Sequence, residues 1–147
     1  MTNILGGRTV IVDSDAHIGL IHKDDKLHRR CLEVSKFLAQ NNFTVITPYP
    51  IVLEAATTLS RAKPVKRPDL SAKLLKDFAS TEETTPIDTN VSELVAKLYD
   101  PKTSAKNTPF DHYVLALAIK NNVRVVFSFD SFYKKHGLIL AEELLKN

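Results

Sequence analysis

Hydrophobic positions along the chain fall into two rhythms. "RTVIV" (8–12), "FTVIT" (43–47) and "RVVFSF" (124–129) are short β-branched runs, each the length of a buried strand. "TTPID" (84–88) is a weaker strand, and "LILAEELLKN" closes the chain as a short strand with a frayed tail. Between these runs the spacing turns helical. "DAHIGLIHKD" gives a short helix, and 25–42 carries Leu27, Cys31, Val34 and Leu38 on one face and ends on Asn41-Asn42. The segment 48–62 has Pro50 in its first turn, where a missing N–H costs nothing. A helix over 69–80 aligns Leu70, Leu74, Leu75 and Phe78, and another over 89–100 aligns Val91, Leu94, Val95 and Leu98. The helix over 109–122 opens with Thr108 as N-cap and Pro109 at its first position. The stretches 63–68, 101–108 and "DSFYKKHG" read as connections. Strands alternating with helices imply right-handed crossovers and a mostly parallel sheet of four to five strands, flanked by helices in a three-layer α/β fold. No repeat, low-complexity tract or internal boundary divides the 147 residues, so a single domain over 1–147 is expected.

In such a sheet ligands bind outside the carboxyl ends of the strands, which makes the acids just after strands the ones to weigh. Asp13 ends the first strand and Asp15 follows it. Either could cap the next helix, and Asp15, nearer the helical pattern, fits the cap better. Asp111 suits the positive end of its helix. It also heads a column of Val114, Leu115 and Ala118 on a helix that is apolar almost all round. A carboxylate facing a dry region costs several kcal/mol unless it is paired or bound to a cation. Glu54 projects away from the stripe of Val52, Ala55, Ala56 and Leu59, together with Thr57, Thr58 and Arg61. It reads as an exposed glutamate unless that face borders the cleft. Asp130, after "VVFSF", suits an Asx turn or a ligand equally.

Composition narrows the classes. A chain 44% hydrophobic and 25% charged is that of a soluble globular protein. The single cysteine, Cys31, excludes an internal disulfide framework and a cysteine zinc cluster, and reads as packing. No apolar run approaches the roughly 20 residues of a membrane span, and "MTNILGGRTV" lacks a secretory leader pattern, so a cytoplasmic location is expected. The net charge of +3 favours an anionic partner without identifying it. The histidines at 17, 22, 28, 112 and 136 show no ligand spacing. His112 points about 100° away from Asp111 on the same helix and reads as a packing or surface residue.

Taken together and in order, the acidic segments resemble the PIN-domain nucleases, most closely the VapC-type toxin ribonucleases of bacteria and archaea. "VIVDSDAHIGL" resembles the opening strand with its first aspartate, Asp13, and "TVITPYPIVLEAATTLSR" the second strand and the helix bearing the glutamate, Glu54. "NTPFDHYVLALAIKNNVRVVFSFDSFYKK" resembles the most characteristic region, with Asp111 opening an alanine-rich helix and Ser128 and Asp130 ending the next strand. The resemblance covers about residues 8–140. Two features depart from the family pattern. Asp15 stands where many toxins have serine or asparagine, and "TPFDHY" differs around the third acid, where a small residue often follows.

The resemblance implies a PIN-like domain that hydrolyses RNA phosphodiesters. Asp13, Glu54, Asp111 and Asp130 would be the catalytic, metal-holding set, with Ser128 and Asp15 in support. Clustered carboxylates stay ionised when a cation sits among them. Oxygen donors select hard ions, so one or two Mg²⁺ or Mn²⁺ ions are expected, held partly through water. Such an ion acidifies a water for in-line attack and neutralises phosphate charge. Candidate RNA-binding cations are Arg61, Lys63, Lys66, Arg67, Lys102, Lys106, Lys134 and Lys135. A homodimer and an antitoxin that blocks the cleft with its C-terminal segment are also implied. Two other readings compete. A haloacid-dehalogenase-like phosphatase also ends its first strand on Asp-x-Asp, but His17 replaces the threonine or valine usual after that motif, and no later lysine and paired-acid motif is found. The other is a catalytically inactive PIN interaction module, against which the full acid set argues.

Overall fold

A computed structural model of the chain describes residues 7–63, 65–80, 87–102 and 106–146. Among these, β1 (Thr9–Val12), β2 (Thr44–Ile46), β3 (Val125–Phe127) and β4 (Ile139–Leu140) form one all-parallel sheet in the order β2-β1-β3-β4. The helices are α1 (Ser14–Ile21), α2 (His28–Gln40), α3 (Tyr49–Arg61), α4 (Pro68–Phe78), α5 (Ser92–Leu98), α6 (Pro109–Lys120) and α7 (Ser131–Lys135), followed by a closing 3₁₀ turn (Ala141–Lys146).

The central runs became strands because both faces of β1 and β3 are covered, whereas the edge strand β2 leaves Thr44 and Val45 exposed. On one face Ile11, Ile46 and Val126 pack with Ile51 of α3 and with Val114, Leu115 and Ala118 of α6. On the other, Val10, Val12, Val125 and Phe127 pack with Cys31, Val34 and Leu38 of α2 and with Ala141. Alternate residues of β1 thus enter opposite cores, and Val10 and Ile11 have no exposed surface at all. This is the expected three-layer α/β fold. A third cluster joins α3 to α4 through Val52, Ala55, Leu59 and Leu74. The stripe read from spacing on α3 is therefore its buried face.

Local chemistry explains several boundaries. Asn42 and Asn122 take the left-handed conformation (φ 59° and 55°) just past the ends of α2 and α6. In each case the next residue's N–H returns to a carbonyl one turn back, Phe43 to Leu38 at 3.0 Å and Val123 to Ala118 at 2.9 Å. This asparagine closure leads the chain directly into β2 and β3. Gly19 lets α1 and α2 approach closely, since a Cβ there would stand 2.4 Å from Cys31 Sγ.

The structure corrects some elements. Residues 131–135 form α7 rather than a loop, because the Asp130 carboxylate caps the segment by accepting from the Phe132 N–H at 2.9 Å. The helix expected over 89–100 starts only at Ser92, with Val91 at the N-cap position and no side-chain cap. The strand expected at 84–88 falls partly outside the described residues, and 87–88 are irregular. No helix among the described residues is long and apolar enough to cross a membrane.

Candidate active site

The strand order places a switch point between β1 and β3. From β1 the chain crosses to β2 on one side, and later to β3 and β4 on the other. The carboxyl ends of β1 and β3 diverge into loops at this point, where open α/β sheets hold their ligands. The Asp13 N–H donates to the Phe127 carbonyl at 3.1 Å, so the register of the two strands carries Asp13 directly opposite the Ser128-Phe129-Asp130 segment. The cleft above them has a volume of about 590 Å³ and is lined by Asp13, Asp15, Glu54, Asp111 and Asp130, together with Lys26, Arg30 and Lys106.

Each acid is positioned by its own partners. Asp13 is 3% exposed; Oδ1 accepts from the Ser14 N–H at 2.8 Å and Oδ2 from the Tyr133 hydroxyl at 2.7 Å. Asp111 accepts from the Thr108 N–H at 3.0 Å, the return bond that starts α6. The Asn107 amide spans Asp111 (3.4 Å) and Asp130 (3.1 Å). Glu54 reaches the cleft from α3 on the side opposite that helix's core stripe, so the face that spacing reads as solvent borders the cleft at Glu54. Ser128 is buried and donates to Asp15 at 3.1 Å while accepting from the Asp130 N–H at 3.1 Å.

The roles of the two N-terminal aspartates differ from the sequence reading. The residue that caps α1 is Asp13, not Asp15. Asp15 lies inside the first turn, and its carboxylate turns to the end of β3, accepting from Ser128 Oγ and from the Phe129 N–H at 2.8 Å. Asp13 lies nearer the strand end, and its extended φ/ψ satisfies the N-cap requirement.

Burial and mutual repulsion dominate the electrostatics. Burial, followed by the charge of Asp15, pushes Asp13 up to about 8, against the opposing bonds from Tyr133 and Ser14. Burial also pushes Asp15 up to about 6, opposed by its bonds from Phe129 and Ser128. Glu54 and Asp111 are raised as well, with burial the first cause of each. Asp15 Oδ1 and Glu54 Oε1 are buried oxygens without hydrogen-bond partners. Among the described residues no three His, Cys, Asp or Glu side chains are gathered tightly enough to hold an ion. The donors therefore line a polar cleft rather than enclose a bare ion. Such an arrangement fits a hard cation that keeps part of its water shell.

A pH prediction follows from Asp13. Its carboxyl binds a proton more tightly in the folded chain than in the unfolded chain, whose value is 3.8. Between about 4 and about 8 the folded state holds the extra proton, so the stability it contributes is lost as the pH rises through that window. The melting temperature of protein stripped with chelator is expected to fall between pH 5 and pH 8.5. Added Mg²⁺ or Mn²⁺ is expected to restore more of it at pH 8.5 than at pH 5. A flat profile with no cation effect would contradict this electrostatic picture.

The structure sorts the candidate cations. Of the eight, only Lys106 lines the cleft among the described residues. Arg67 is tied to Asp69 at 2.8 Å and Lys134 to Glu143 at 3.1 Å, while Arg61, Lys63, Lys66, Lys102 and Lys135 are exposed away from the lining. Sequence reasoning missed Arg30, because helical spacing marks it only as the polar side of α2, and Lys26, which lies in the turn before that helix. It also missed Asn107 and Tyr133, which lay in stretches read as connections. His112 is a packing residue: it is 2% exposed, lies edge-on to Tyr99 and Phe132, and donates from Nδ1 to the Thr108 carbonyl.

No curated protein matches the chain by sequence. Among solved structures, the fold is similar to that of VapC20 from Mycobacterium tuberculosis, described as a toxin that cleaves the Sarcin-Ricin loop. The TM-score is 0.68 at 16% identity, covering 88% of this chain and 96% of that one. The sequence model of the PIN domain matches residues 10–137, a stretch running from β1 to the end of α7 that includes all five acids of the cleft. The chain therefore belongs to the PIN domain family.

Proposed function

We propose that the chain is a divalent-metal-dependent endoribonuclease of the VapC toxin type. The observation that carries this reading is the convergence of Asp13, Glu54, Asp111 and Asp130, from four separate segments, on one cleft at the β1/β3 switch point. These four carboxylates would hold one or two Mg²⁺ or Mn²⁺ ions, partly through water. When bound, the ion supplies Lewis acidity toward water and the phosphate oxygens. The chain's own groups do the positioning. Tyr133 fixes the Asp13 carboxylate, Asn107 spaces Asp111 from Asp130, and Asp15 with Ser128 pins the backbone that carries Asp130. Lys26 and Lys106 supply positive charge at the rim, where an RNA backbone would enter. By the same family resemblance, the working unit is a homodimer in the cytoplasm, silenced by a cognate antitoxin lying over the cleft.

The phosphatase reading is weaker, because it needs the second aspartate of the first loop to face the reacting phosphate. Here one Asp15 oxygen is spent on Ser128 and Phe129. An inactive interaction module would have no use for buried carboxylates whose charges oppose one another.

The test is cleavage of a mixed-sequence RNA by purified protein free of antitoxin. Cleavage with Mg²⁺ or Mn²⁺ is expected to stop on chelation with EDTA and to return when Mn²⁺ is added in excess. Equal cleavage in EDTA, or no cleavage with either ion, would overturn the proposal.

A further inference from the structure

The cleft contains one built feature that holding a cation and a phosphate does not require. Arg30, on α2, and Phe129, after β3, line it together. The guanidinium of Arg30 lies over the Phe129 ring, 4.7 Å from its centroid. It also donates two bonds to Glu142 of the closing turn, from Nε to Oε2 at 2.6 Å and from Nη2 to Oε1 at 2.5 Å. Paired bonds of this kind fix the plane of the guanidinium. Phe129 is held in turn by the bond from its N–H to Asp15 and by edge-on contact with Phe127. Despite these restraints, the Arg30 side chain stays 50% exposed.

The charge of Arg30 is already balanced by Glu142, so it is poorly placed to neutralise a phosphate. What it still offers is a flat, delocalised, weakly hydrated surface held rigid at the edge of the cleft. Guanidinium planes stack on nucleobases, and a rigid platform loses little conformational freedom when a base settles on it. We propose that Arg30, clamped by Glu142 over Phe129, is the stacking platform for an unpaired nucleobase beside the scissile phosphate. Substrates would therefore be RNAs that are single-stranded at that nucleotide. The inference rests on the nuclease reading above and deepens it. Arg30 is a substrate contact, whereas Phe129 and Glu142 position it.

The experiment uses one cleaved oligoribonucleotide with its cut mapped, and a set of the same strand made abasic at one nucleotide at a time on either side of the cut. For the wild type, removing one particular base is expected to raise KM about tenfold, the scale of a single base stack, with little change in kcat. Arg30→Lys keeps the charge and loses the plane. It is expected to raise KM about tenfold on the intact strand and to add nothing on that abasic strand. Glu142→Gln, which loosens the plane, is expected to fall between the two. If Arg30→Lys behaves as wild type, or is equally impaired on intact and abasic strands, the platform is refuted while the nuclease reading stands. If the wild type cleaves no RNA at all, the nuclease reading fails and the platform falls with it. Melting temperatures of both variants separate loss of fold from loss of stacking.

Discussion

Replacing Asp111 with asparagine is expected to lower RNA cleavage by roughly 10³-fold, the scale of losing one preorganised electrostatic group in a water-poor site. The fold is expected to survive. The Asp111 carboxylate serves two masters: Oδ2 accepts from the Thr108 N–H and the Asn107 amide, while the group as a whole faces the cleft. An asparagine carbonyl can take over the bond that starts α6, so the structural half of the role is retained. The charge, which the cation would require, is lost. Without a cation that charge is also a burden, since burial raises Asp111 and the charge of nearby Asp130 adds to the shift. Chelator-treated Asp111→Asn should therefore melt at the wild-type temperature or slightly above it, and should gain less from added Mn²⁺. Activity falling while stability holds is the signature of a functional charge. Equal cleavage by both proteins would remove Asp111 from the site. Equal loss of activity and melting temperature would make it a structural cap.

How far the sequence revealed this site depends on which interactions were local. β1 and β3 were legible because strands buried on both faces are written as unbroken apolar runs, and Val10, Ile11, Val125 and Val126 are such runs. Thr108 and Pro109 announced α6 for equally local reasons. Asp111 stood out because it heads an apolar column, and the structure places it at the cleft wall. Glu54 was ambiguous in principle. Helical spacing says which residues avoid the core, but it cannot say whether the opposite face meets solvent or a cleft, and that is decided by how α3 lies across the sheet. Arg30 was invisible for the same reason, and Lys26 because it lies in a turn with no periodicity to read. Tyr133 could not be identified because its hydroxyl meets Asp13 across 120 residues of chain. The exchange of roles between Asp13 and Asp15 is a register question: a helix beginning two residues earlier, at Ser14 rather than Ala16, turns the cap into Asp13 and points Asp15 at β3.

That register makes Asp15 the residue whose variants separate the competing chemistries. Asp15→Ala is expected to cost about 1–3 kcal/mol of stability, the penalty for leaving a buried donor without its acceptor. The donor is the Phe129 N–H, and Ser128 Oγ loses its acceptor in the same step. Part of the cost is offset because removing the charge relieves the repulsion that raises Asp13. The larger effect should be on cleavage. Ser128 Oγ accepts from the Asp130 N–H, so releasing Ser128 loosens the segment that presents Asp130 and the one that holds Phe129 beneath Arg30. A fall of about a hundredfold is expected, at the upper end of losses from residues that orient metal-holding groups. Asp15→Asn keeps a carbonyl oxygen to accept from Phe129, and it should retain cleavage within about tenfold of wild type and most of the stability. The ordering alanine well below asparagine, with asparagine near wild type, identifies Asp15 as a positioning residue that works through its acceptor oxygen. In a phosphatase that uses the second aspartate as a general acid, the amide would be as dead as the alanine, because neither can deliver a proton. Cleavage and thermal melting of the two variants, measured side by side, therefore test both the site and the class of chemistry: an inactive but fully folded Asp15→Asn would move the proton-transfer role to Asp15 and overturn its positioning role.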